Sequence, residues 1–247
     1  MKGKPVKGGR NTYGEILGIV MIERHFPRIP GEMGNATTFD FPVRLKVVKG
    51  LDITTRYRLF AGDLELLKPF LEAVKELEQA GVRAITSNCG FLVLFQDVVA
   101  NSVNIPVFTS SLLQIPLVYR MIRKDHKVGV ITADATPRGL GKKHLEAAGA
   151  GEVPVVVVGM ETSEAFQTIS QDKEILYPEQ LRDDIVEIAT KLVGDHPEIG
   201  AIVLECANLP PYAKFVHEAV NRPVFDFLTL TNMVYSAVVK REFSGLM

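Results

Sequence analysis

Short runs that are apolar at nearly every position alternate along the chain with longer stretches in which apolar residues recur every three or four positions. The runs are EILGIVMI (15–22), VRAITS (82–87), IPVFT (105–109), KVGVIT (127–132), VPVVVVG (153–159), AIVLE (201–205) and RPVFDF (222–227). A strand with one wet face alternates apolar and polar residues, so runs this uniform predict α/β architecture: parallel strands covered on both faces by helices. Between them, Asp63 to Ala80 sets Leu64, Leu67, Leu71, Val74 and Leu77 on one helical face, and Gly81 supplies a stop. Pro178 to Val193 repeats the stripe with Leu181, Ile185, Ile188 and Leu192 and is expected to end at Gly194. Shorter helical patterns cover 91–103, 137–148 and 210–220. Residues 24–60 are rich in Pro and Gly with little period, which predicts a long irregular excursion of the kind that often carries function.

The pattern occurs twice. NIPVF (104–108) and NRPVF (221–225) agree at four of five positions and lie 117 residues apart, and the chain's two cysteines, Cys89 and Cys206, are also 117 apart. LGIV (17–20) resembles VGVI (128–131) at a somewhat shorter offset. Each half therefore reads strand, helix, strand ending in Cys, helix and an Asn-x-Pro-Val-Phe strand, and the two cysteines are equivalent positions. Parallel-sheet proteins reuse similar apolar strings by chance, but the shared offset of two independent markers weighs against that.

Composition narrows the class without choosing the activity. The 247 residues can bury one large core or two smaller ones, and with 47% hydrophobic residues folding needs no covalent staples. A net charge of -1 offers no field for a nucleic acid. Lys2, Lys4, Lys7 and Arg10 make a basic start without a signal-peptide apolar stretch, expected to be a mobile tail. No segment reaches the roughly 18 apolar residues of a membrane span. These features predict a cytoplasmic protein with reduced thiols.

Each cysteine follows an apolar strand and precedes a helical pattern, so each should stand at the carboxyl edge of its sheet, where open α/β folds bind ligands. Helix-start N–H groups favour a thiolate and an anionic ligand alike. A free thiol has a pKa of roughly 8.5, so a modest depression would let it serve as base or acid near neutrality. Two thiols reaching one ligand from opposite sides could invert a carbon, one removing a proton while the other delivers one, at a separation too great for a disulfide. Taken singly, a free cysteine among apolar residues is usually a small core hydrophobe. Two lone cysteines without C-x-x-C spacing make a poor metal site, and a redox disulfide is a further alternative. The symmetry favours acid/base chemistry.

TSNCGF (86–91) and LECANLPPYA (204–213), one per half, resemble the two cysteine motifs of the aspartate/glutamate racemase superfamily. That resemblance implies two similar α/β domains related by a pseudo-twofold with the site between them, here 1–113 plus 228–247 and 114–227. It implies a cofactor-independent racemase or epimerase acting on a small carboxylate such as an amino acid or hydantoin, with Cys89 and Cys206 as the acid/base pair, and by analogy a homo-oligomer. The chain departs from the family where Gly90 follows Cys89 and where Ala207-Asn208 follows Cys206, positions that hold substrate in that family, so the substrate stays open. Asn88 and Asn208 beside the thiols could donate hydrogen bonds to a carboxylate or enolate, or serve as turn residues. Thr136 in TADAT and Asn35 in the 24–60 excursion are further candidate substrate contacts, with helix-start and turn roles as alternatives. Ser110 and Ser111 stand beside the cleft or on the linker between halves. Glu205 would raise its neighbour's pKa but should point to the opposite face. The five histidines fall in loop and surface-helix positions. Maleate isomerase-like and arylmalonate decarboxylase-like chemistry and a non-catalytic two-lobed binding protein are the alternatives. No metal, nucleotide or membrane partner is indicated.

Overall fold

The repeat in the sequence becomes a repeat in topology. In the computed structural model, which describes residues 5–246, the strands are β1 (Leu17–Ile22), β2 (Val43–Val48), β3 (Ala84–Ser87), β4 (Val107–Phe108), β5 (Lys127–Thr132), β6 (Val155–Gly159), β7 (Ile199–Leu204) and β8 (Val224–Phe225). They form two four-stranded sheets ordered β2-β1-β3-β4 and β6-β5-β7-β8, with every pairing parallel. The two orders are the same, so β3 corresponds to β7, and Cys89 and Cys206 each lie two residues beyond their strand. Lys2 and Lys4 of the basic start lie outside the described residues; residues 5–14 are exposed and in neither helix nor strand.

The flanking helices are α1 (Arg56–Ala61), α2 (Leu67–Ala80), α3 (Gln96–Ala100), α4 (Ile115–Met121), α5 (Lys142–Ala147), α6 (Phe166–Ser170), α7 (Pro178–Asp195), α8 (Ala213–Val220) and α9 (Phe227–Val238). Helix α2 buries Leu67, Phe70, Ala73, Val74 and Leu77, and Gly81 closes it in the left-handed region at φ 95°. Each large side chain on that face contributes roughly 2 kcal/mol by leaving water. Leu64, expected on this face, is 67% exposed because it sits in a separate 3-10 turn ahead of the helix. Helix α7 buries Leu181, Ile185, Ala189 and Leu192 and continues through Gly194, the expected stop, to Asp195.

Residues 24–60 are not wholly irregular. They contain β2, whose side chains are mostly half-buried or exposed because it is the edge strand of its sheet and pairs only with β1. Neighbouring Pro and Gly and the charges at Arg44 and Lys46 mask its alternation. The chain finishes by returning to the first sheet: Phe227 and Leu230 of α9 pack with Leu17, Ile19, Met21 and Ala84. Phe91 and Val93, after β3, enter the apolar cluster formed by Val128, Val130, Ala201 and Val203 of the second sheet. Ala207, after β7, joins the cluster of the first sheet. The segments that carry the cysteines thus cross between the halves and lock them together.

Candidate active site

Both thiols open onto one cavity of about 250 Å3, which is also lined by Asn88, Gly90, Glu205 and Asn208. Each half supplies one cysteine-bearing strand end, and both cysteines are free. Cys89 is half-buried in extended backbone at the start of the 3-10 turn Gly90–Phe95. Its sulfur faces the backbone N–H groups of Phe91 and Leu92, which favour a thiolate, as does nearby Arg24. Burial and the carboxylate of Glu205 outweigh them and push the thiol up to about 12. Cys206 is 7% exposed and accepts a hydrogen bond from Asn208 Nδ2 at 3.2 Å. Burial, followed by Glu205, pushes this thiol up further still. The expected depression by helix-start N–H groups is therefore reversed: the donors are present, but desolvation of a charged sulfur is the larger effect.

Glu205 does not point away from the site. Alternation persists past the end of β7, since Glu205 N still donates to Ile131 O and Cys206 packs with Ile202 and Leu204 while Glu205 bonds Thr132 on the opposite face. Yet the carboxylate also lines the cavity. It is 0% exposed. Oε2 accepts hydrogen bonds from Thr132 Oγ1 at 2.7 Å and Ala133 N at 3.2 Å, while Oε1 has no hydrogen-bond partner. Burial, which dominates those hydrogen bonds, raises its pKa to about 7. Gly90 is required by this arrangement, since a methyl group there would overlap Oε1 and come within 2.5 Å of the Glu205 carbonyl oxygen.

The 24–60 segment contributes the rest of the wall. Arg24 and Arg56 line the cavity, together with Phe26, Tyr57 and Phe60. Arg24 donates to the carbonyl oxygens of Ile169 at 2.7 Å and Ser170 at 3.3 Å, and Arg56 also donates to Ser170 O. These bonds tie the first half to α6 and its following turn in the second, which supply Phe166, Ile169 and Gln171 as the opposite wall. Asp172 completes the tie by accepting from the backbone N–H groups of His25 at 2.6 Å and Phe26 at 3.1 Å. The Phe60 ring stacks on Phe91 at 3.8 Å between centroids. Asp134 and Glu161 add negative charge to the wall on the side of the second half. These residues escaped sequence reasoning because they come from stretches without helical or strand period; the one signal was the density of Arg and aromatic residues between positions 24 and 60.

Of the residues singled out from the sequence, Cys89, Cys206, Asn88, Gly90 and Asn208 meet in the cavity, whereas Thr136 and Asn35 are not among its lining residues. Asn35 caps a 3-10 turn through Thr37 N and donates to Arg28 O, a local turn role. Thr136 donates its N–H to Asp134 Oδ1 and its hydroxyl accepts from Arg138 N, organising the loop rather than the cavity. Asn88 is engaged by structure, its Oδ1 accepting from Ile22 N at 2.8 Å across the ends of β3 and β1. Ser110 accepts from Leu112 N, and the buried Ser111 hydroxyl donates to Leu204 O at 2.8 Å, holding the strand end that leads to Cys206. His144 departs from the expected surface position, being fully buried between the halves with Nε2 3.0 Å from Phe60 O. Among the described residues no helix is long and apolar enough to cross a membrane.

Residues 58–231, which contain both thiols, match the Asp/Glu/Hydantoin racemase family. The fold is similar to that of allantoin racemase from Pseudomonas fluorescens, with a TM-score of 0.58 over 91% of this chain and 90% of that one at 16% identity. At the sequence level the chain is 31% identical to a dimethylsulfoniopropionate lyase of Durusdinium sp., covering 93% of this chain and 77% of the relative. It is 29% identical to dimethylsulfoniopropionate lyase 7 of Emiliania huxleyi, covering 93% and 69%. Relatives named as lyases, matched along almost the whole chain, overturn the expectation of an amino-acid racemase or other isomerase. The physical error lay in taking two equivalent thiols to require inversion: a symmetric scaffold supplies two cysteines by duplication, whatever reaction it later hosts.

Proposed function

Since the chain belongs to the Asp/Glu/Hydantoin racemase family, we propose that it is a lyase that uses the thiol cavity to eliminate a leaving group β to a carboxylate, with dimethylsulfoniopropionate as substrate. The observation that carries this reading is the 31% identity to a lyase of that name over 93% of the chain, spanning both cysteines. The cavity suits such a zwitterion. Arg24 and Arg56 offer a carboxylate its cationic pole, while Phe60 and Phe166 with Asp134 and Glu161 offer a sulfonium an aromatic and anionic one.

In the elimination, one of the two cysteines takes a proton from the carbon next to the carboxylate as thiolate. The C–H electron pair becomes the carbon–carbon double bond, and the bond from the β-carbon to the sulfonium sulfur breaks with its pair going to sulfur. Acrylate and neutral dimethyl sulfide result. To the second thiol and to Asn208, whose Nδ2 donates to Cys206 Sγ at 3.2 Å, we assign the hydrogen bonds that meet the charge building on the carboxylate oxygens. Two unpaired thiols suit a reducing compartment, and we assign the protein to the cytoplasm and its working lobes to 1–113 plus 228–247 and 114–227.

Purified protein incubated with dimethylsulfoniopropionate is expected to release dimethyl sulfide into the headspace together with one equivalent of acrylate. Replacing the thiol that acts as base, Cys89→Ser or Cys206→Ser, should lower the rate at least about 100-fold. Absence of dimethyl sulfide above the level of heat-inactivated protein would refute the assignment.

A further inference from the structure

Resting on the elimination just described, we propose that Glu205 generates the base: when substrate enters, its free Oε1 accepts the proton of a cavity thiol, leaving a neutral carboxylic acid and a thiolate. The S–H bond breaks, an O–H bond forms, and the negative charge moves from oxygen to sulfur. After the thiolate has taken the substrate proton, both groups are protonated, and Glu205 releases its proton to solvent once the products have left. The overall stoichiometry is then acrylate, dimethyl sulfide and one proton.

Four observations converge on this residue. Oε1 is fully buried yet accepts nothing, while Oε2 is held by Thr132 and Ala133, so the carboxylate is oriented with one oxygen in reserve. That oxygen lies against the backbone of Gly90, the residue after Cys89, at a distance no side chain there would allow. Glu205 is also the covalent neighbour of Cys206, and its charge bears on both thiols. Finally, it is a lining residue of the cavity that both thiols share.

The charged groups around this cluster set its direction. Asp134 faces Glu205 with the same sign, and Arg24 faces Cys89. With a carboxylate near 7 and a thiol near 12, transfer is uphill at rest. A cationic group arriving beside the sulfur tilts the exchange toward thiolate.

The test compares wild type with Glu205→Gln and Glu205→Asp, reading both turnover and the pH dependence of iodoacetamide alkylation at Cys89 and Cys206, resolved by peptide mass spectrometry. Removing the neighbouring negative charge in the Gln variant should shift thiol alkylation to lower pH, so that more thiolate stands at rest, while turnover falls at least about 100-fold. The Asp variant should recover part of the turnover. Wild-type kcat/KM should rise with pH through about 7, and this limb should vanish in the Gln variant. A Gln variant that keeps more than a tenth of wild-type turnover, or whose alkylation profile coincides with wild type, would overturn the inference. Failure of the substrate assignment looks different: no dimethyl sulfide from any variant, with the alkylation shift intact.

Discussion

A glycine beside Cys89 and a glutamate beside Cys206 are a matched pair. Gly90 leaves the space that the Glu205 carboxylate occupies, and because the conflict would include a backbone carbonyl, a rotamer change alone cannot relieve it. Gly90→Ala is therefore expected to displace the strand end after β7, costing about 1 to 3 kcal/mol in stability by overpacking and reducing turnover in parallel. Urea denaturation and a turnover assay on the same sample check it, and an unchanged midpoint with full activity would show that the contact is slack. At this scale the thiols were readable from the chain, because their shared 117-residue offset marks them as equivalent. Glu205 was not: alternation sets it on the face opposite Cys206, as the structure has it, but says nothing of a cavity that both faces of the strand end line. Asn35 and Thr136 misled for a related reason: small polar residues in loops look the same whether they bond the backbone or a ligand.

At the scale of elements, the wall of the cavity depends on how α6 is held over the strand ends. Asp172, in the left-handed region at φ 59°, accepts from His25 N and Phe26 N and lies 3.7 Å from Arg24, so one side chain joins the turn after α6 to the segment after β1. Burial raises its pKa, but those hydrogen bonds and Arg24 outweigh burial and leave it below the ordinary aspartate range. Asp172→Ala should loosen this wall and raise KM several-fold more than it lowers kcat, while leaving the alkylation profile of the cysteines in place. A kcat loss without a KM change would argue against a role in closing the cavity. Seven of the eight strands among the described residues follow from uniformly apolar runs. Burial on both faces keeps polar residues out of the central β1, β3, β5 and β7, and the half-buried edge strand β6 stays Val-rich as well. The eighth, β2, lies at a sheet edge where half-exposed positions accept Arg and Lys, and its pattern disappears among the loops on either side. Helix α7 ran past Gly194 because its packing against the second core outweighs the roughly 1 kcal/mol that an interior glycine costs.

For the molecule as a whole, the two sheets of identical order are joined by segments that pack into one another's cores, and His144 is one of the polar groups at that junction. Gly141 N donates to Nδ1 at 3.1 Å, so the neutral ring carries its proton on Nε2 and donates it to Phe60 O. Burial, the largest influence, lowers the pKa of His144 below its usual value. The folded form thus binds this proton less readily than the unfolded chain, so its contribution to stability is complete above the unfolded value near 6.5 and is lost as pH falls through the folded one. Thermal unfolding should show a drop in Tm below about pH 6.5 that flattens in His144→Gln, and parallel curves for the two proteins would dismiss this contact as the sensor. The cavity between the halves also bears on durability. Acrylate, the product of the proposed elimination, is a Michael acceptor that adds to standing thiolates. Burial holds both sulfurs toward the protonated form, which under the proposed cycle would shield them from that attack while product is still nearby. Under the proposed elimination, the same burial that makes these thiols sluggish in the empty protein would protect them from inactivation by the product.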